Sequence, residues 1–148
     1  MHHCILVDTS HVDDLDDRAT LVDRMAECAR ASILESRGGT ISPRTARRIV
    51  ADIWAASLQG YEERHAELTH YALEEYIRKH SSLLFGQKVL YLGLWLDDET
   101  GEVCLDITKL FLDDTAALAF AAANDQKAVT NLLTLETKWL TRAGQKVA

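Results

Sequence analysis

The chain has 148 residues, of which 47% are hydrophobic and 26% charged, with one proline and seven glycines. This is the composition of a soluble globular protein, and it excludes disordered, fibrous and membrane-spanning classes. Sixteen basic against 23 acidic residues leave a net charge of −7, which opposes broad binding to a polyanion or an anionic membrane and points to a protein partner with a basic surface.

No signal peptide stands behind Met1-His2-His3-Cys4, so a cytoplasmic location is expected. His2, His3 and Cys4 could hold a stray metal ion, but a chain terminus makes a poor cage. Residues 4–8, Cys-Ile-Leu-Val-Asp, form a short apolar, β-favouring run ending at Asp8, which predicts a strand. From Asp13 the period changes to three and four, through Leu15, Ala19, Val22, Met25, Ala29 and Ile33, and predicts a helix stopping at Gly38-Gly39. Asp13, Asp14, Asp16 and Asp17 then fall on its first turn, where they suit the helix dipole.

Ser42 followed by Pro43 reads as an N-cap and first helical position. Ala46, Ile49, Val50, Ile53, Trp54 and Ser57 line up as the apolar face of a second helix, 42–58. Tyr61 to about His80 predicts a third, packed through Tyr61, Leu68, Ala72, Tyr76 and Ile77. From Lys88 the texture changes. Lys88–Leu96 and Glu102–Phe111 read as strands joined by an Asp97-Asp98-Glu99-Thr100-Gly101 turn, with Trp95 and Phe111 in the core. Asp113 or Asp114 caps an alanine-rich helix, Thr115–Asn124, and Lys127–Glu136 returns as a last strand. The expected order is β-α-α-α-β-β-α-β, one α+β domain over 1–148 with a helical region at about 11–86 and a β-β-α-β region at about 88–137.

Two stretches resemble known families. Tyr91-Leu-Gly-Leu-Trp95, Asp98-Glu-Thr-Gly101-Glu-Val-Cys-Leu-Asp106, Phe111, Ala121-x-x-Asn124-x-Gln126-x-Ala128 and Leu133 together resemble a β-β-α-β domain of uncharacterised actinobacterial phage, plasmid and genomic-island proteins. That likeness covers about a third of the chain and implies a mobile-element setting without an activity. Asn124 and Gln126 are its polar members, and capping and turn hydrogen bonds account for both. Ile5-Leu-Val-Asp8-Thr9-Ser10 resembles the first strand of PIN-domain ribonucleases, whose strand-end aspartate binds Mg²⁺ or Mn²⁺. The run from Asp114 to Ala122, and Ala128-Val-Thr-Asn131, echo later elements of that family. The resemblance therefore implies Asp8 and Asp114 as metal-binding catalytic carboxylates. The family's glutamate is missing between Ala46 and Ile53, and Asn131 stands where it has a fourth ligand.

Other constellations need weighing. Ser42-Pro43-Arg44-Thr45-Ala46-Arg47-Arg48 looks like a DNA-recognition helix with Arg44, Arg47 and Arg48 facing phosphates or guanine, although no short turn precedes it and direct nucleic-acid binding sits poorly with the net charge. Glu67-x-x-His70 matches one ligand pair of di-metal carboxylate bundles, with Glu63 and Glu74 on the same stripe. The second such pair, Glu62-x-x-His65, falls on the same helix, and an exposed polar stripe without a metal is the plainer reading. Ser10-His11 lacks an orienting partner, and Cys4, Cys28 and Cys104 read as reduced thiols. The expectation is a non-enzymatic interaction protein without a cofactor, compatible with homo-oligomers. It would bind a basic partner, such as a nucleic-acid-binding host defence protein, through Asp13, Asp14, Asp16, Asp17, Asp97, Asp98, Glu99, Asp113 and Asp114. The alternatives are a nuclease using Asp8 and Asp114 with Mg²⁺ or Mn²⁺, and a DNA-binding protein using the helix at 42–58.

Overall fold

A computed structural model describes residues 15–140, and of Leu15 and Asp16 the backbone alone. The predicted strand at 4–8, with Asp8, Ser10, His11, Asp13, Asp14 and the side chain of Asp16, lies outside the described residues. Within them the fold is α+β. A long helix α1 (Leu15–Ser36) is followed by strands β1 (Gly38–Ile41), β2 (Trp54–Ser57) and β3 (Glu63–His65), and then by helices α2 (His70–Lys79) and α3 (Ser81–Leu84). Strands β4 (Tyr91–Leu96) and β5 (Val103–Phe111), helix α4 (Asp114–Ala123), and strands β6 (Ala128–Asn131) and β7 (Thr137–Trp139) complete the chain. The strands form one antiparallel sheet in the order β1-β4-β5-β2-β6-β7, with β3 paired to β5 beside β2.

Helix α1 forms where its period predicts. Leu21, Val22, Met25, Ala26, Cys28 and Ala29 are buried along one stripe, and the chain leaves the helix at Arg37, whose φ is +63°. The β4–β5 hairpin also follows the sequence: Leu96 pairs with Val103 and Tyr91 with Thr108, and the connecting turn passes through Gly101 at φ +76°. Helix α4 starts one residue earlier than expected, with Asp113 as its N-cap, Oδ1 accepting from the Ala116 N–H at 2.8 Å.

The predicted helix at 42–58 does not form. Residues 42–47 close a tight turn, with Ser42 N–H donating to Arg47 O at 2.9 Å and Ala46 N–H to Ser42 O at 2.8 Å, and Ala46 takes φ +56°. Trp54–Ser57 then enters the sheet between β5 and β6. The three-and-four spacing of Ile49, Val50, Ile53 and Trp54 imitated a helix, but those residues are β-branched or aromatic and the alternation from Trp54 onward is that of a strand. The predicted third helix is shortened likewise. Glu63–His65 pairs with β5, and α2 begins only after Thr69, whose Oγ1 accepts from the Ala72 N–H at 3.0 Å. The expected strand Lys127–Glu136 is strand only over β6 and continues as a turn, β7 follows at Thr137, and β6 pairs with β2 on one side and β7 on the other.

Alternation along β5 sets the two faces of the sheet. Leu105 and Ile107 point to the cluster made with α1 and α2, including Met25, Leu73, Tyr76, Ile77 and Leu92. Phe111, two further steps along the same parity, joins Trp54, Ala56, Ala117, Leu118, Ala121 and Val129 under α4. The described helices α1, α2 and α4 therefore pack on one face. Cys104, Asp106 and Thr108 point to the other, together with Trp95, which is 40% exposed rather than in the core, its ring covered from one side by the Arg64 guanidinium at 5.6 Å. Cys104 is a free buried thiol, its pKa pushed up to about 11 chiefly by burial, whereas Cys28 is in a disulfide, which corrects the reduced-thiol reading there.

Candidate functional site

The acids at 97–102 are occupied locally. Asp97 Oδ2 pairs with the Arg64 guanidinium at 3.0 Å while its Oδ1 accepts from the Glu99 N–H at 2.9 Å, and Asp98 pairs with Arg37. The Arg64 contact is the main reason the Asp97 carboxyl is held below the usual carboxylate range. Glu102 shares Arg64 at 3.5 Å. Glu99 is exposed and has no ion pair among the described residues. Asp113 is spent in part on its cap, worth about 1 kcal/mol, and Asp114 is paired with Lys138, whose ammonium lies 4.8 Å from the Trp54 ring centroid. The ammonium thus already neutralises the carboxylate that the PIN-domain alternative would use to hold Mg²⁺ or Mn²⁺. Asp17 is half-exposed near the start of α1.

Arg44, Arg47 and Arg48 share no helix. Arg48 donates from its guanidinium to Ser36 Oγ at 2.6 Å, Arg47 is exposed, and Arg44 lines a shallow groove of about 310 Å³ with Arg18, Leu21, Pro43, Leu84, Phe85 and Gly86. The recognition-helix reading has no helix to stand on. Asn124 is the C-cap of α4, its Nδ2 donating to Phe120 O at 3.0 Å and its Oδ1 accepting from the Gln59 N–H at 3.1 Å, and Gln126 donates to Asn124 O at 3.0 Å. Both residues hold the turn after α4.

Asp106 lies buried at the middle of the sheet. Its two carboxylate oxygens accept from the Thr108 hydroxyl at 2.6 Å and the Ser57 hydroxyl at 2.8 Å. Burial nevertheless dominates and raises its pKa, since two hydroxyls replace hydration only in part.

The metal-ligand stripe foreseen on one helix is divided. Glu62 and Glu63 precede or belong to β3, His65 pairs with Glu63 at 3.0 Å, and exposed Glu67 precedes α2. His70 and Glu74 stay together, one turn apart at the start of α2, and Asp23 of α1 joins them. Among the described residues these three side chains alone offer three ligand atoms within 4.8 Å of one another. Asp23 carried no motif in the sequence, because its partners come from a helix some fifty residues away.

A second site was missed altogether. Of the nine large hydrophobic residues that are strongly exposed among the described residues, Val50, Val89, Leu112, Leu133 and Leu135 fall at one end of the sheet. Strand register places them there: Trp54 of β2 pairs with Phe111 on one side and Asn131 on the other, so Leu112 and the Leu132–Leu135 turn leave the two strands that flank β2 at the same end. Val50 lies in the segment leading into β2, and Val89 just before β4, whose Tyr91 pairs with Thr108. Leu112 is 87% exposed, Leu133 55% and Leu135 60%. Buried Asn131 shapes the turn. Its Oδ1 accepts from the Leu133 and Thr134 N–H groups at 2.9 and 3.0 Å, and its Nδ2 donates to Asp52 Oδ1 at 2.8 Å. Leu135 takes φ +64°, a conformation costly for a branched side chain. The exposed acids Asp113, next to Leu112, and Asp52 and Glu136, both bonded to Asn131, accompany this half of the patch, whereas exposed Arg47 and Lys88 precede Val50 and Val89 in the chain. Leu132-Leu133-Thr134-Leu135 falls inside the run 127–136 whose apolar pattern predicts a strand. The signal against it was the Asn-x-x-Thr start of a turn.

No protein-family model, curated protein or solved structure matches the chain.

Proposed function

We propose that the protein is a non-enzymatic interaction protein that docks a protein partner on the apolar end of its sheet. The observation that carries this reading is the exposure of Leu112, Leu133 and Leu135 at the ends of the two strands flanking β2, with the exposed acids Asp52, Asp113 and Glu136 close by in the chain or bonded to Asn131. Exposed leucines at such density leave apolar surface in water at a cost of about 25 cal/mol per Å², which a bound partner relieves. The held turn supports the same reading, since Asn131 fixes the leucines in place and lowers the entropy lost on binding. Charge complementarity assigns the partner a hydrophobic contact ringed by lysine or arginine.

A surface of that kind belongs to many nucleic-acid-binding proteins. The sharper form of the proposal is therefore an acidic inhibitor of a nucleic-acid-binding host defence protein, set in a phage or plasmid by the likeness of residues 91–136. The test is affinity capture from host lysate with the wild-type chain and a Leu112→Ser/Leu133→Ser variant side by side. The reading expects a protein retained by the first and lost by the second. Retention by both overturns it, and so does concentration-dependent self-association abolished by the variant, which would make a second copy of the chain the occupant.

A further inference from the structure

We propose that Asp23, His70 and Glu74 form a binding site for a divalent transition metal of the Zn²⁺ type, tying α2 to α1. The cap at Thr69 starts α2 at His70 and so places the imidazole at the helix end against α1, while the i, i+4 spacing sets Glu74 directly behind it. Asp23 reaches the same point from α1. His70 Nε2 lies 2.8 Å from Asp23 Oδ1 and 3.6 Å from Glu74 Oε2, and all three ligand atoms fall within 4.8 Å of one another.

One ring nitrogen offers at most one proton, so it satisfies one of the two carboxylates that converge on it. The other neighbour of Glu74 is Arg78, at 3.7 Å and beyond hydrogen-bond length. A cation satisfies all three groups at once. Ligand bonds of about 2.0–2.2 Å around a tetrahedral ion separate neighbouring ligand atoms by roughly 3.4 Å, which lies between the two separations observed at His70. One imidazole with two carboxylates is a donor set suited to Zn²⁺, whereas Mg²⁺ and Ca²⁺ favour oxygen alone. Three protein ligands also leave a position for water, and Asp23 is exposed, so an ion can enter without any rearrangement of the core.

The test is calorimetric titration of the full chain with Zn²⁺, and separately with Mg²⁺ and Ca²⁺, on the wild type and on Asp23→Asn, His70→Gln and His65→Ala variants, with melting curves in parallel. Asp23 and His70 lie at the surface, so both site variants fold, and circular dichroism verifies this. The proposal expects a Zn²⁺ binding event that raises Tm, weakens roughly tenfold or more in Asp23→Asn and in His70→Gln, and persists in His65→Ala. Zn²⁺ binding that both site variants retain overturns it, as does an absence of Zn²⁺ binding or equal affinity for Mg²⁺.

Discussion

Gly93 on β4 stands directly opposite Asp106 on β5, and the volume a side chain would occupy at Gly93 is filled by the Asp106 carboxylate and the Thr108 hydroxyl. A buried carboxylate in the middle of a sheet is tolerated here because its strand neighbour has no Cβ. Replacing Gly93 by alanine forces Asp106 and Thr108 apart and breaks the 2.6 Å hydrogen bond between them. The expected cost is about 2–3 kcal/mol, read as a lower urea midpoint. An unchanged midpoint would mean that the Asp106 pocket relaxes freely.

Asp106 also sets a pH dependence. Burial raises its folded pKa above the value of 3.8 for a free side chain, so the folded state holds this proton more tightly than the unfolded chain does. Its contribution to stability is full below about pH 4 and falls as pH rises through the folded pKa. Asp97 has the opposite sign: the Arg64 contact lowers its pKa, so its contribution is present above about pH 4 and is lost on acidification. Melting curves between pH 3 and 8 should show the decline with rising pH flattened in Asp106→Asn, and the acid limb flattened in Asp97→Asn.

At the apolar end, stability and function should separate. Leu112→Ser removes a side chain that is 87% exposed and should alter stability by no more than about 0.5 kcal/mol. Leu135→Gly relieves a φ of +64° and should stabilise the fold by about 0.5–1 kcal/mol. Each should nevertheless weaken partner capture. A stabilised Leu135→Gly chain that binds as well as the wild type would leave the strained leucine without a role in binding.

Neutralising the 97–99 turn separates structural acids from surface ones. Asp97→Asn gives up the Arg64 pair and weakens the cap on the Glu99 N–H, so it should lower Tm, whereas Glu99→Gln touches neither contact and should leave Tm unchanged. Equal effects of the two would contradict this division.

Legibility from the sequence tracked the range of the determining contacts. Helix α1, the β4–β5 hairpin with Gly101 and the cap at Asp113 are set by neighbours within a few residues, and their signals could be read directly. The segment around Trp54 could not be, because its state depends on partners at Phe111 and Asn131, fifty to eighty positions away, while its local spacing imitates a helix. The same reason hid Asp23 from His70 and Leu112 from Leu133. Trp95 misled in another way: an aromatic side chain in a strand reads as core, yet its parity puts it on the face away from the described helices, where Arg64 covers its ring. The acidic clusters were visible as composition, but their pairing with Arg37, Arg64 and Lys138 was not.

The central claim is that the leucine-bearing end of the sheet is the binding surface, and hydrogen exchange on the chain with and without its captured partner tests it most directly. The account predicts added protection of the backbone amides at 50–53, 112–113 and 132–136, with the hairpin turn at 97–101 unchanged. Protection confined to that turn, or to the 42–48 segment with Arg44 and Arg47, would contradict it.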